Sequence, residues 1–262
     1  MGDFTFKKKY GQNFIKNKNI VERMVLESDI LEDTLVIEVG PGMGVLTEEL
    51  SLYAKNVLCY EIDTTLKPYL DKKFVHSNVE IIYEDFLGRD ILMDIKKYKY
   101  KYLYFIANVP YYITTPILMK IMEMQSSVSK IVMMVQKEVG ERLCALCGSR
   151  NYSSISVYLD YFYERCALFL VPRYEFVPVP NVDSIIVSFT RRDFLLEVKD
   201  YSLFFRIVRD SFQFKRKTIK NNLKSYDLTK VEKVLLEHGY TLSSRAEALS
   251  LEVFVAISNS LL

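Results

Sequence analysis

The sequence predicts an α/β protein: a seven-stranded, mostly parallel sheet wound on both faces by helices, followed by a small all-helical domain. Three observations predict it. Five short apolar runs alternate with helical stretches from about Thr34 onward. Two further β-rich runs follow, parted by a proline-rich loop. After Asp193 the apolar residues recur at helical spacing. A chain of 262 residues, 50% of them hydrophobic, can bury a core of that size.

The five runs are Leu35 to Val39, Asn56 to Ile62, Val79 to Glu84, Tyr102 to Asn108 and Lys130 to Gln136. Each is close to continuously apolar, as expected of parallel strands covered on both faces. Ser153 to Tyr163 and Ser184 to Thr190 are expected to close the sheet as an antiparallel pair. Between them VPRYEFVPVPNV can neither continue a helix nor donate regularly to a ladder. The tail carries three helical patterns, YSLFFRIVRDSF, LTKVEKVLLEHG and SLEVFVAISNSLL, with Gly239 as a helix stop after His238. The expected domains are therefore 1–192, including a basic segment 1–20, and 193–262.

Net charge is only +2, so any affinity for nucleic acid must come from local clusters of Lys and Arg. Lys7, Lys8, Lys9, Lys16 and Lys18 form one such cluster. Arg206, Arg209, Lys215, Arg216, Lys217, Lys220 and Lys224 form another, and both are expected to meet RNA phosphates. No apolar stretch approaches the roughly 20 residues that cross a bilayer, and MGDFTFKKKYG lacks a signal-peptide core, so a cytoplasmic protein is expected. Cys59, Cys144, Cys147 and Cys166 are too few for a disulfide scaffold and are expected reduced. The pair Cys144 and Cys147 sits in a helical pattern without partner ligands, since His76 and His238 are the only histidines. No metal site is expected, because tetrahedral zinc needs four ligands.

EVGPGMGVLTEEL follows the first strand directly, and Gly40, Gly42 and Gly44 would let the backbone approach a ligand. The spacing is G-x-G-x-G, not the dinucleotide pattern. Glu61 follows about 20 residues later, where an acid can accept ribose hydroxyl bonds, and Asp85 ends the third run. In an open parallel sheet these groups converge on one crevice beyond the strand carboxyl ends. A nicotinamide-dependent oxidoreductase remains open on these features alone.

ANVPYY, at the end of the fourth run, faces the same crevice. It suits methylation of an exocyclic amine, whose lone pair is delocalised into its ring. The Asn108 side chain and the carbonyl of Pro110 or Val109 could accept from the amine hydrogens and favour the pyramidal nitrogen. Tyr111 offers a face on which a base stacks, worth about 1 to 3 kcal/mol.

The succession EVGPGMG, YEID, YEDF and NVPYYITTP resembles the class I methyltransferases, Rossmann-like enzymes that use S-adenosylmethionine. Nearly the whole chain is similar to the ribosomal RNA adenine N6,N6-dimethyltransferases of the KsgA/RsmA family: KKYGQNFI, MVQKEVGERL, FVPVPNVDS and FKRKTIKNNL stand in order where that family has its own motifs. The resemblance implies cofactor contacts at Gln12, Asn13, Ile15, Glu38, Gly40, Gly42, Glu61, Asp85 and Asn108. It implies that Asn108, Pro110 and Tyr111 hold the target adenine, with Phe176 stacked on its other face; as a residue before two prolines, Phe176 reads equally as a hydrophobic core plug. It further implies two methyls on each of two adjacent adenosines in the 3′-terminal hairpin loop of small-subunit ribosomal RNA. The partner would be a pre-ribosomal 30S-type particle, met by a monomer without a membrane. Ser153 stands where the family commonly has glycine, so a local backbone difference is expected there. The related Erm enzymes, which methylate large-subunit RNA, are the nearest alternative, but the tail motifs FKRKTIKNNL and RAEALSLEVF resemble KsgA more. A non-catalytic assembly or transcription factor on this fold would be expected to have lost cofactor or NVPY residues, which are intact.

Overall fold

The computed structural model describes residues 14–124 and 128–262. One compact unit runs to Gly140 and includes Cys166–Thr190; the other comprises Glu141–Arg165 and Arg191–Leu262.

In the first unit β1 (Phe14–Ile15) and α1 (Lys18–Glu27) precede the alternation β2 (Thr34–Val39), α2 (Val45–Ser51), β3 (Asn56–Tyr60), α3 (Lys67–Lys73), β4 (Val79–Ile82), α4 (Ile91–Ile95), β5 (Tyr102–Asn108), α5 (Thr114–Glu123) and β6 (Lys130–Gln136). Strands β2 to β6 pair in parallel in the order β4-β3-β2-β5-β6. The apolar runs form strands because both faces are covered: every residue of β2 is buried, whereas β4, at the edge, is only half-buried throughout. On one face Val36, Val57 and Ile106 pack against Val21 and Met24 of α1 and Leu46 and Leu50 of α2. Across the other face the rings of Tyr60, Phe86 and Phe105 meet edge to face at 5.3 and 5.9 Å.

Beyond β6, the helix α6 (Lys137–Leu143) and then α7 (Ser154–Phe162) lead into β7 (Tyr163–Val171), β8 (Phe176–Val177) and β9 (Ser184–Arg191). The sheet therefore has seven strands, with β9 antiparallel to β6 and β7 outside β9. One expectation is corrected here. Within Ser153 to Tyr163, Ser154–Phe162 is a helix, and the strand begins only at Tyr163. The run ISVYLDYF is buried on almost every side, so it lacks the period that separates strand from buried helix. What decides is its start: Ser153, in extended backbone at φ −155, forms a capping box with Ser156, whose hydroxyl also donates to the Arg142 carbonyl. Serine in place of glycine is therefore well suited to that position. The proline-rich loop contributes to a ladder after all, since Phe176 and Val177 pair with Ile15 and Phe14.

The second unit adds α8 (Tyr201–Ser211), α9 (Ile219–Asn222), α10 (Leu228–Glu237) and α11 (Leu251–Ser260). Asp200 and Asp227 cap α8 and α10 through backbone N–H groups, and Gly239, at φ +79, ends α10. This unit extends beyond the tail because α7 packs in it: the Tyr158 hydroxyl donates to the Phe205 carbonyl at 2.7 Å, and the two rings lie 4.8 Å apart. Cys144 and Cys147 lie past the last residue of α6, not within a helix; Leu143 ends it. Among the described residues no helix is long and apolar enough to cross a membrane.

Candidate active site

The carboxyl ends of β2, β3, β4 and β5 open onto a cavity of about 480 Å³. The first wall is the turn from β2 into α2, where Gly40, Gly42 and Gly44 have φ +73, +56 and +70. Such backbone is costly for side-chain-bearing residues. At Gly44 a methyl group would also lie 2.7 Å from the Phe74 ring, so α3 presses the loop from behind. At Gly40 nothing lies within 4 Å of an added carbon, which leaves room for a ligand.

Glu38, near the end of β2, is 1% exposed, and burial pushes its carboxyl up to about 7. Opposing that rise, Thr47 donates to Oε2 at 2.7 Å and the Cys59 thiol at 3.6 Å. Glu61, one residue past β3, is also raised above the ordinary carboxylate range by burial. Its Oε2 accepts from the Gly42 N–H at 3.0 Å and its Oε1 from the Asp63 N–H at 2.7 Å. A carboxylate has about four lone-pair sites, so both oxygens can still accept from a ligand hydroxyl. Asp85 is exposed three residues past β4, and one oxygen accepts from the Leu87 N–H at 2.9 Å. With Glu84, these make four carboxyl groups against the single cation Lys73 among the described lining residues, a balance that suits a positively charged ligand.

The opposite wall is Asn108, Val109, Pro110 and Tyr111. Asn108 is the last residue of β5, and Pro110 fixes the chain at φ −56 as it leaves the sheet. The Pro110 carbonyl accepts from the Ile113 N–H at 3.1 Å and keeps a second lone pair. The Tyr111 hydroxyl is 2.7 Å from the Ser184 hydroxyl, so its half-buried ring is held in place.

Ile15 also lines the cavity, at the β1 ladder. Phe176 does not. Opposite Ile15 in that ladder, it is 0% exposed and belongs to the hydrophobic core. Gln12, Asn13, Lys7, Lys8 and Lys9 lie outside the described residues. In the second unit Arg206, Arg209, Lys215, Arg216, Lys217 and Lys220 are all exposed on α8, α9 and the turn between them. Asn222, buried, donates to the Ser211 carbonyl at 2.6 Å and the Phe214 carbonyl at 3.4 Å, fixing that turn. Lys73, Thr47, Cys59 and Ser184 were not singled out from the sequence as functional residues, although Thr47 stood in EVGPGMGVLTEEL and Ser184 in FVPVPNVDS.

Comparison with known proteins shows the family. Residues 3–262 match the family described as ribosomal RNA adenine dimethylase. The chain is 40% identical to the ribosomal RNA small subunit methyltransferase A of Lactococcus lactis, over 99% of this chain and 91% of that protein. It is 43% identical to the protein of the same name from Streptococcus pyogenes, over 98% and 92%. Among solved structures it resembles a dimethyladenosine transferase from Plasmodium falciparum, with TM-score 0.76, 26% identity and coverage of 93% and 95%. It also resembles the 23S rRNA methyltransferase ErmE, with TM-score 0.74, 26% identity and coverage of 95% and 99%.

Proposed function

The chain belongs to the ribosomal RNA adenine dimethylase family, and from that premise we propose that it dimethylates N6 of two adjacent adenosines in the 3′-terminal hairpin loop of small-subunit ribosomal RNA. It is a methyltransferase of the S-adenosylmethionine-dependent kind, and its substrate is a pre-ribosomal 30S-type particle that it meets in the cytoplasm as a monomer. The observation that carries this reading is one cavity with two walls: a glycine loop with acids for the donor, and Asn108 to Tyr111 for the base.

When bound, S-adenosylmethionine supplies an electrophilic methyl group on a positively charged sulfur. The residues present fit it. The acidic lining suits its positive charge, Gly40 leaves space beside the loop, and Glu61 has lone pairs for the ribose hydroxyls. Asp85 would take the adenine amino group of the donor, and Glu38 stands toward its methionine end.

The chain's own contribution to the reaction is alignment, which can supply much of a displacement barrier. The Asn108 side-chain oxygen accepts one hydrogen of the target amine, and the carbonyl of Pro110 or Val109 accepts the other. Both bonds draw the nitrogen toward a pyramid whose lone pair can attack. Tyr111, steadied by Ser184, stacks on the adenine, which must be unpaired or extruded to enter. Arg206, Arg209, Lys215, Arg216, Lys217 and Lys220 neutralise RNA phosphates, a contribution to affinity that falls with salt.

The likeness to ErmE makes large-subunit RNA the second substrate to test. The protein is incubated with methyl-labelled donor and separately with small and large subunits from cells lacking both modifications. Labelled N6,N6-dimethyladenosine in the small-subunit hairpin loop is expected. Label in the large subunit alone would move the assignment, and label in neither would overturn it.

A further inference from the structure

At the other end of the same sheet, the amino ends of β2, β3 and β5 border a second and more open cavity of about 810 Å³. Lys96, Tyr98, Lys99, Tyr100 and Lys101 line it, from the alternating sequence Lys96-Lys97-Tyr98-Lys99-Tyr100-Lys101-Tyr102, together with Lys55, the residue before β3. Two of these cations are already neutralised: Lys55 pairs with Asp33 at 2.5 Å, and Lys97 pairs with Glu80. Lys96, Lys99 and Lys101 are exposed; Lys96 and Lys99 form no ion pair among the described residues, and Lys101 is attracted to Asp33 without a contact ion pair.

The backbone beneath them is held in place. The Lys101 N–H donates to the Asp33 carbonyl at 2.9 Å, and the Tyr98 hydroxyl donates to Glu80 at 2.6 Å. Half-buried Tyr98 and Tyr100 and the 48% exposed Leu92 give the cavity an apolar floor between the charges. Exposed lysines interleaved with half-buried tyrosine rings, Tyr98 held by Glu80, match the two chemistries of an unpaired RNA strand, phosphates on one side and base faces on the other.

We propose that this amino-end surface is a second RNA contact, gripping the backbone of an unpaired strand of the substrate. It rests on the reading that the substrate is ribosomal RNA. Because β2 is 6 residues long, the contact lies at least about 20 Å from the methylated base, at a rise of roughly 3.3 Å per residue.

The test is a triple variant, Lys96→Gln, Lys99→Gln and Lys101→Gln, whose exposed side chains take no part in donor or adenine binding. Its affinity for small subunits is titrated at graded potassium chloride beside the wild type, and methyl transfer is followed with each. The slope of log affinity against log salt is expected to fall by about 2 to 3. KM for the particle rises severalfold, while kcat and donor affinity stay unchanged. An unchanged slope and KM would overturn the proposal. If the triple variant melts early, Lys99→Gln alone is read in the same way, with a slope change of about 1. If neither protein methylates small subunits yet the variant loses affinity and slope, the substrate reading fails while the contact stands.

Discussion

The two ends of the parallel sheet are built on opposite plans. At the carboxyl ends the decisive groups are sheltered and mutually bonded: Glu38 is held by Thr47, Glu61 holds the glycine loop, and Tyr111 rests on Ser184. At the amino ends, as on the turn between α8 and α9, the decisive groups are exposed lysines and arginines. The first plan fixes a few atoms where reaction needs them, so single changes there have large effects. The second spreads attraction over many interchangeable charges, so each change is small and salt-dependent.

The contrast is sharpest at Asn108. Asn108→Ala is expected to lower kcat by about 10²- to 10³-fold, the size of one lost oriented polar contact at a reacting centre. Calorimetric donor affinity should stay within a few-fold of wild type. Near-normal turnover would remove Asn108 from its assigned role.

Glu38 gives the next effect. Its ordinary value is 4.5 and its folded value about 7. Within that window the folded protein keeps a proton that the unfolded chain has released, so stability falls as pH rises. The loss amounts to about 3 kcal/mol at most. Denaturant melts from pH 4 to 8 should show Glu38→Gln lacking that part of the decline, and parallel curves for the two proteins would contradict the sheltered-acid account.

On the exposed side, replacing Lys215, Arg216 and Lys217 together by glutamine should weaken RNA binding and reduce its salt slope by about 3. Donor binding should not change. An unchanged slope would take this turn off the RNA surface. The smallest effect is the exception at the sheltered end: Tyr111→Phe keeps the ring on which the base stacks and deletes only the bond to Ser184. It should cost about 1 kcal/mol, read as a roughly fivefold rise in KM for RNA.

How much of this was legible in the sequence follows the same division. Strands Tyr102–Asn108 and Lys130–Gln136 were read to the residue, because continuous apolar runs between helical stretches admit little else. The helix over Ser154–Phe162 was misread because a segment buried on all sides has no amphipathic period, and its short capping box is outweighed by Val, Tyr and Phe. Glu61, Asp85 and Asn108 were legible from their places at strand ends. Lys73, which donates to the Gly44 carbonyl at 3.1 Å, and Thr47 were not, because their roles exist only once α2 and α3 lie against the loop. Phe176 has a motif position that reads equally as a stacking face or a core plug, and its partner Ile15 across the ladder accounts for its burial.

The most direct test is a crystal of this protein soaked with S-adenosylmethionine. Density for the donor is expected against Gly40, with its ribose on Glu61, its adenine beside Asp85 and its methyl group directed toward Asn108. A donor bound elsewhere, or a cavity that stays closed by protein at saturating donor, would contradict the account.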